Sequence, residues 1–180
     1  MKALLGDIEV SYTAQGEGMP VVLVHGLAEG KESWCEIQKR IGNFRTYAYD
    51  LRGHGETTLG IGKGTIEQLG EDLVIFLEKV CGRAQCVGYS LGGTLVLWAA
   101  AKRPELVSAA IVAGTSAVVG RQAVGFFSDR IRMIEENFSA FAPALKKDTA
   151  LQIVTSGVDL EALTARRLEA VGNGGGYVNA

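Results

Sequence analysis

Apolar and polar positions along the chain change period several times, and each change marks an element. Ile8–Thr13 alternates, as a half-buried strand does. Pro20–Val24 ends in V-V-L-V, a continuous apolar run that predicts a strand buried on both faces of a parallel sheet. Over Lys31–Ile41, Trp34, Ile37 and Ile41 fall at helical spacing. Thr46–Asp50 predicts a short strand. Thr65 then stands as N-cap to a helix with Ile66, Leu69, Leu73, Phe76 and Val80 on one face. Gln85–Gly88 predicts a strand, Leu91–Lys102 a helix stopped before Pro104, and Leu106–Ala113 a further strand.

Strands alternating with helices predict an α/β fold with a mostly parallel sheet flanked by helices. From Arg121 the pattern changes. Val124, Phe127, Ile131, Ile134 and Phe138 recur at helical spacing, Pro143 breaks the run, and helices are expected at Lys146–Ser156 and Leu160–Val171. No strand alternates with them, so residues 1–120 read as an α/β core and 121–180 as a helical cap region. Asn173–Gly176 (N-G-G-G) reads as a flexible break, after which Y-V-N-A could start another helix.

Composition narrows the class without changing it. Apolar residues make up 47% of 180 and charged residues 21%, enough for one domain with a real core. A formal charge of -2 and the lack of a basic stripe argue against a nucleic-acid partner. The longest apolar runs, such as Thr94–Ala101, are too short to span a membrane, and the N-terminus lacks a signal-peptide core. The three cysteines, Cys35, Cys81 and Cys86, have no metal-ligand spacing and read as reduced thiols of a cytoplasmic protein.

The candidate chemistry sits at three predicted strand ends, where open parallel sheets bind ligands. His25-Gly26-Leu27 follows the first, L-R-G-H-G the second, and Tyr89-Ser90-Leu91 the third. V-G-Y-S-L-G-G matches G-x-S-x-G, a turn that holds a serine in a strained conformation with its hydroxyl exposed. Ser90 is therefore the candidate nucleophile. The backbone amides of Leu91 and Leu27 are the candidate oxyanion donors. His25 and Tyr89 are placed at the substrate pocket, His25 bracing the oxyanion turn and Tyr89 either lining the pocket or packing beside it. Asp50 and Arg52 are expected to stabilise the second loop. Trp34 and Trp98 read as core, and Asp129, Asp148 and Asp159 as solvated helix charges.

These motifs resemble the α/β-hydrolase superfamily: H-G after the third strand, Y-D-L-R-G-H-G after the fourth and G-Y-S-L-G-G after the fifth. T-I-E-Q-L-G-E-D-L, Trp98 and the terminal G-Y-V-N-A are similar to 3-oxoadipate enol-lactonases and related small esterases. The resemblance implies an α/β-hydrolase fold with a helical cap over residues 121–180. It also implies a serine hydrolase of small carboxylic esters or lactones that needs no metal or organic cofactor. Esterases, lactonases, C–C hydrolases and peptidases share the fold, so the substrate stays open. A serine at the elbow argues against a haloalkane dehalogenase.

A serine nucleophile needs a histidine base and a carboxylate to orient it, in the order Ser, acid, His in this fold. The only histidines, His25 and His54, both precede Ser90. The resemblance places the acid after a seventh strand and the histidine after an eighth. The expectation is a C-terminally truncated member, lacking its last strands and helices and inactive alone. A silent binding module and one half of a split enzyme are the alternatives. The oligomeric state is left open.

Overall fold

Val21 to Val24 are all buried, alternately on the two sides of the sheet, so both of its faces are packed. The computed structural model describes residues 1–118, 120–172 and 174–179. Its strands are β1 (Lys2–Leu5), β2 (Ile8–Gln15), β3 (Met19–Val24), β4 (Phe44–Tyr49), β5 (Ala84–Tyr89) and β6 (Val107–Ala113). Its helices are α1 (Cys35–Arg40), α2 (Ile66–Phe76), α3 (Leu91–Lys102), α4 (Arg121–Glu136), α5 (Phe138–Gln152), α6 (Leu160–Val171) and α7 (Gly175–Asn179). One sheet runs β1-β2-β4-β3-β5-β6. β2 is antiparallel to β1 and β4, and every later pairing is parallel.

Val22 and Val24 point into a core with Leu69, Leu73 and Phe76 of α2 and Leu95, Val96 and Ala99 of α3. Val21 and Leu23 point the other way, against Trp34 and Ala48. This is why V-V-L-V carries no polar position. α2 and α3 meet where the Trp98 ring covers Gly70, so Trp98 is a packing residue. Thr65 caps α2, its side chain accepting from the Gln68 amide at 3.3 Å.

Register brings the three motifs together. Val24 is aligned with Tyr49 on one side and Gly88 on the other, and Tyr89 with Ala113. The loops that start at His25, Asp50 and Ser90 therefore leave the sheet at one edge, the carboxyl ends of its strands.

Several expectations need correction. β1 carries no readable sequence pattern, being four residues long with only Leu5 buried. The Trp34–Ile37–Ile41 stripe is broken because the segment starts as a 3₁₀ turn over Lys31–Trp34. That turn rotates Gln38 inward and leaves Ile37 40% exposed. Pro143 does not break a helix: it lies inside α5, and the break falls at Asn137. The donor Pro143 lacks would serve the carbonyl of Ser139, an exposed residue that water can reach, while Phe141 and Leu145 are buried and hold the helix in place. Gly175 and Gly176 are not a flexible break; they open α7. A Cβ at Gly176 would lie 2.4 Å from the Gly53 carbonyl oxygen, so α7 packs directly on the R-G-H-G loop. Asn173 and Ala180 lie outside the described residues.

The helices after residue 120 have their own core, in which Ile134, Phe141, Leu145, Val171 and Tyr177 surround Ala28. No described helix is long and apolar enough to cross a membrane.

Candidate active site

Ser90 joins β5 to α3 with φ +52° and ψ −120°, a conformation an L-residue adopts only under constraint. Two close approaches impose it. A Cβ at Gly92 would lie 2.2 Å from the Val24 carbonyl oxygen, so α3 can sit this near β3 only with glycine there. A Cβ at Gly26 would lie 3.2 Å from both the Ser90 Cβ and the Tyr89 ring, which puts the turn after β3 against the elbow. The Ser90 amide donates to the Ala113 carbonyl at 2.9 Å, tying the elbow to β6.

As the first residue of α3, Leu91 has an amide with no acceptor inside the helix, and the positive end of the helix dipole lies there. Among the described residues the Leu27 amide also makes no hydrogen bond. Leu27, Tyr89 and Ser90 line one cavity of about 110 Å³, closed by Phe126, Phe127 and Tyr177 of the later helices. Tyr89 thus both lines the pocket and packs against Gly26. A larger cleft of about 320 Å³ lies beyond Glu29 and does not include Ser90.

His25 is not at the cavity surface. It is fully buried, its Nδ1 donates to the Gly26 carbonyl at 2.7 Å, and its Nε2 accepts from the Leu51 amide at 2.9 Å. Both ring nitrogens are committed, so His25 braces the turn and lines no pocket. Burial lowers its pKa. His54 is equally buried, with Nδ1 donating to the Arg52 carbonyl at 3.1 Å and Nε2 enclosed without a partner. Burial lowers its pKa to about 4. Among the described residues the Ser90 hydroxyl has no hydrogen-bond partner, so no base is in place beside it.

Asp50 and Arg52 hold the second loop, as expected. Asp50 accepts from the Lys31 amide at 2.7 Å, the Lys31 ammonium at 2.8 Å and the Glu56 amide at 3.1 Å. Arg52 grips Asp72 with two bonds of 2.8 Å and Asp7 with bonds of 2.9 and 2.7 Å. Hydrogen bonding to Arg52 holds Asp7 well below the usual carboxylate range. Burial raises Asp72 despite the same guanidinium. Burial likewise pushes the thiols of Cys81 and Cys86 up to about 12, so neither is a reactive thiolate.

Sequence reasoning missed the polar side of the cavity. Asp148 is not a solvated charge: it lines the cavity and pairs with Arg130 through bonds of 2.6 and 2.8 Å. Asp129 does pair in solvent with Arg132, and Asp159 caps α6 by accepting from the Ala162 amide. Glu29, Gln152 and Arg167 also line the cavity. Their partners are remote in sequence, so no local pattern could have found them.

The α/β hydrolase fold family matches residues 19–148. The chain is 31% identical over 121 residues to 3-oxoadipate enol-lactonase 2 of Acinetobacter baylyi, covering 63% of this chain and 44% of the relative. It is 34% identical over 111 residues to ethanol acetyltransferase 1 of Hanseniaspora uvarum, covering 59% and 33%. The chain thus spans less than half the length of these curated relatives. Among solved structures, the enol-lactonase of Burkholderia xenovorans LB400 superposes with a TM-score of 0.83 at 24% identity, over 99% of this chain and 71% of that one. A hydrolase from Pseudomonas aeruginosa PA01 gives 0.81 at 24% identity, with the same coverage. Because the family match takes in β3, the elbow and helices α4 and most of α5, the chain belongs to the α/β-hydrolase family.

Proposed function

We propose that this chain provides the nucleophile of a serine hydrolase acting on a small carboxylic ester or lactone. The observation that carries this reading is Ser90, held at φ +52° in the wall of a cavity beside Leu27. A cavity of about 110 Å³ suits a small acyl group better than a long chain. The names of the enol-lactonase relatives point the same way.

The Ser90 hydroxyl oxygen attacks the carbonyl carbon and gives its proton to a base. The Leu27 and Leu91 amides, with the N-terminus of α3, hold the oxyanion that forms. The base returns the proton to the leaving oxygen. In a lactone that oxygen stays attached to the product. Water then attacks the acyl-enzyme, releasing the acid and restoring Ser90. Since both ring nitrogens of His25 are committed and His54 is enclosed, the base in this reading is a histidine from outside these 180 residues.

A catalytically silent binding module is the competing reading, favoured by the unpartnered hydroxyl of Ser90. Hydrolysis of short-chain nitrophenyl esters and small lactones, with imidazole added as an external base, separates the two. The hydrolase reading expects a rate that rises with imidazole and disappears in Ser90→Ala. Equal rates for the two proteins would favour the silent module.

A further inference from the structure

The turn after β3 touches the elbow at Gly26, but its next residues, Leu27 and Ala28, pack into the helices of the cap. Ala28 is 4% exposed and sits in the cluster of Ile134, Phe141, Leu145, Val171 and Tyr177, with Leu27 against its edge. Ala28 also has φ +59°, a left-handed conformation that a non-glycine residue keeps only where its surroundings over-determine it. The next residue, Glu29, accepts from Arg167 Nη2 of α6 at 2.7 Å, across 138 residues of chain. Both side chains are nearly enclosed, at 12% and 11% exposure. Arg167 is itself fixed to α5, its Nη1 donating to Thr149 at 2.9 Å and to Gln152 at 2.8 Å.

We infer that Glu29 and Arg167 form a latch through which the cap sets the oxyanion turn, and that Arg167 is a positioning residue for the Leu27 amide. Leu27, Ala28 and Glu29 are consecutive. A shift of α6 therefore pulls Glu29 and turns the Leu27 amide away from Ser90. Cap closure and assembly of the oxyanion hole become one event. The catalytic consequence rests on the serine-hydrolase reading; the mechanical coupling does not.

Two measurements on the full chain separate these claims. The first is backbone order parameters by NMR for wild type, Glu29→Gln, Arg167→Met and Arg167→Lys. Wild-type values for Leu27 and Ala28 are expected near about 0.85, falling below about 0.6 in Glu29→Gln and Arg167→Met. Arg167→Lys, which keeps the charge, should restore part of the order. Glu29→Gln touches neither Thr149 nor Gln152, so α5 and α6 should keep wild-type values in it. A turn as rigid as wild type in both disruptive variants would overturn the latch. The second is the rate at which a fluorophosphonate labels Ser90 in the presence of imidazole. The maximal rate is expected to fall about tenfold in Glu29→Gln through lost oxyanion stabilisation, over and above any change in half-saturating probe concentration that follows from Glu29 lining the cavity. A fall confined to probe binding would overturn the positioning role. If the turn loosens but wild-type Ser90 takes no probe, the latch stands and the hydrolase reading fails.

Discussion

Gly92 and Val24 are in contact through their backbones, at a distance that leaves no room for a side chain. A Cβ at Gly92 would lie 2.2 Å from the Val24 carbonyl oxygen and 2.5 Å from that of His25. The Val24 oxygen cannot retreat, because β3 is paired on both sides. Gly92→Ala is expected to destabilise the protein by about 3 kcal/mol. Gly125 lies in α4 with open space around it, so Gly125→Ala should stabilise by up to about 1 kcal/mol. Urea unfolding of the two variants checks the opposite signs.

Arg52 is 2% exposed and neutralises Asp72, itself 5% exposed, together with Asp7. Arg52→Met would leave the Asp72 carboxylate buried and alone, at a cost of about 3–5 kcal/mol. Adding Asp72→Leu should recover much of that loss. A double variant no more stable than Arg52→Met would show that the pair matters for something other than its charges.

His54 gives the fold a pH dependence. Its ordinary value is 6.5, and burial takes it to about 4 in the folded chain. Between those values the unfolded chain binds a proton that the folded chain excludes. Stability therefore rises with pH through this window and is lost as pH falls from 6.5 toward 4. The slope from one such histidine is at most about 1.4 kcal/mol per pH unit. His25 is shifted in the same direction. Urea unfolding across this range should show a shallower slope in His54→Gln than in wild type. Identical slopes would mean that His54 is protonated in the folded protein.

Among the described residues β6 pairs with β5 alone, and every residue from Ser108 to Ala113 is exposed. Ile111 is 59% exposed on this outer strand. Free backbone groups beside apolar side chains favour pairing with another chain. Sedimentation velocity should show association that increases with concentration and is reduced in Ile111→Lys. A wild type that stays monomeric at high concentration would show the edge to be innocuous.

The sheet was legible because local pattern and tertiary environment agree there. V-V-L-V lies between two packed layers, and the G-x-S-x-G spacing places its glycines where backbones touch. The same agreement places Ser90 at the turn between β5 and α3 and Leu91 at the first position of that helix. Pro143 misled because a proline's local cost can be outweighed by the burial of Phe141 and Leu145 around it. His25 lies one layer below the cavity surface that its sequence position suggests: a strand-end position brings a residue to the site but does not say which way its ring turns. Asp148 and Arg167 were illegible as site residues because their roles depend on how α4, α5 and α6 fold over the sheet. A charge on an amphipathic helix reads as solvated until its partner across the fold is known.

In the proposed reading, Ser90 is the nucleophile, the Leu27 and Leu91 amides are the oxyanion donors, and the base comes from outside these residues. Mass-spectrometric quantification of fluorophosphonate labelling, with and without imidazole, tests it most directly. The expected result is one adduct, on the peptide carrying Ser90, formed slowly alone, faster with increasing imidazole, and absent from Ser90→Ala. No adduct on Ser90 at any imidazole concentration would contradict the claim, as would rapid labelling that imidazole does not change.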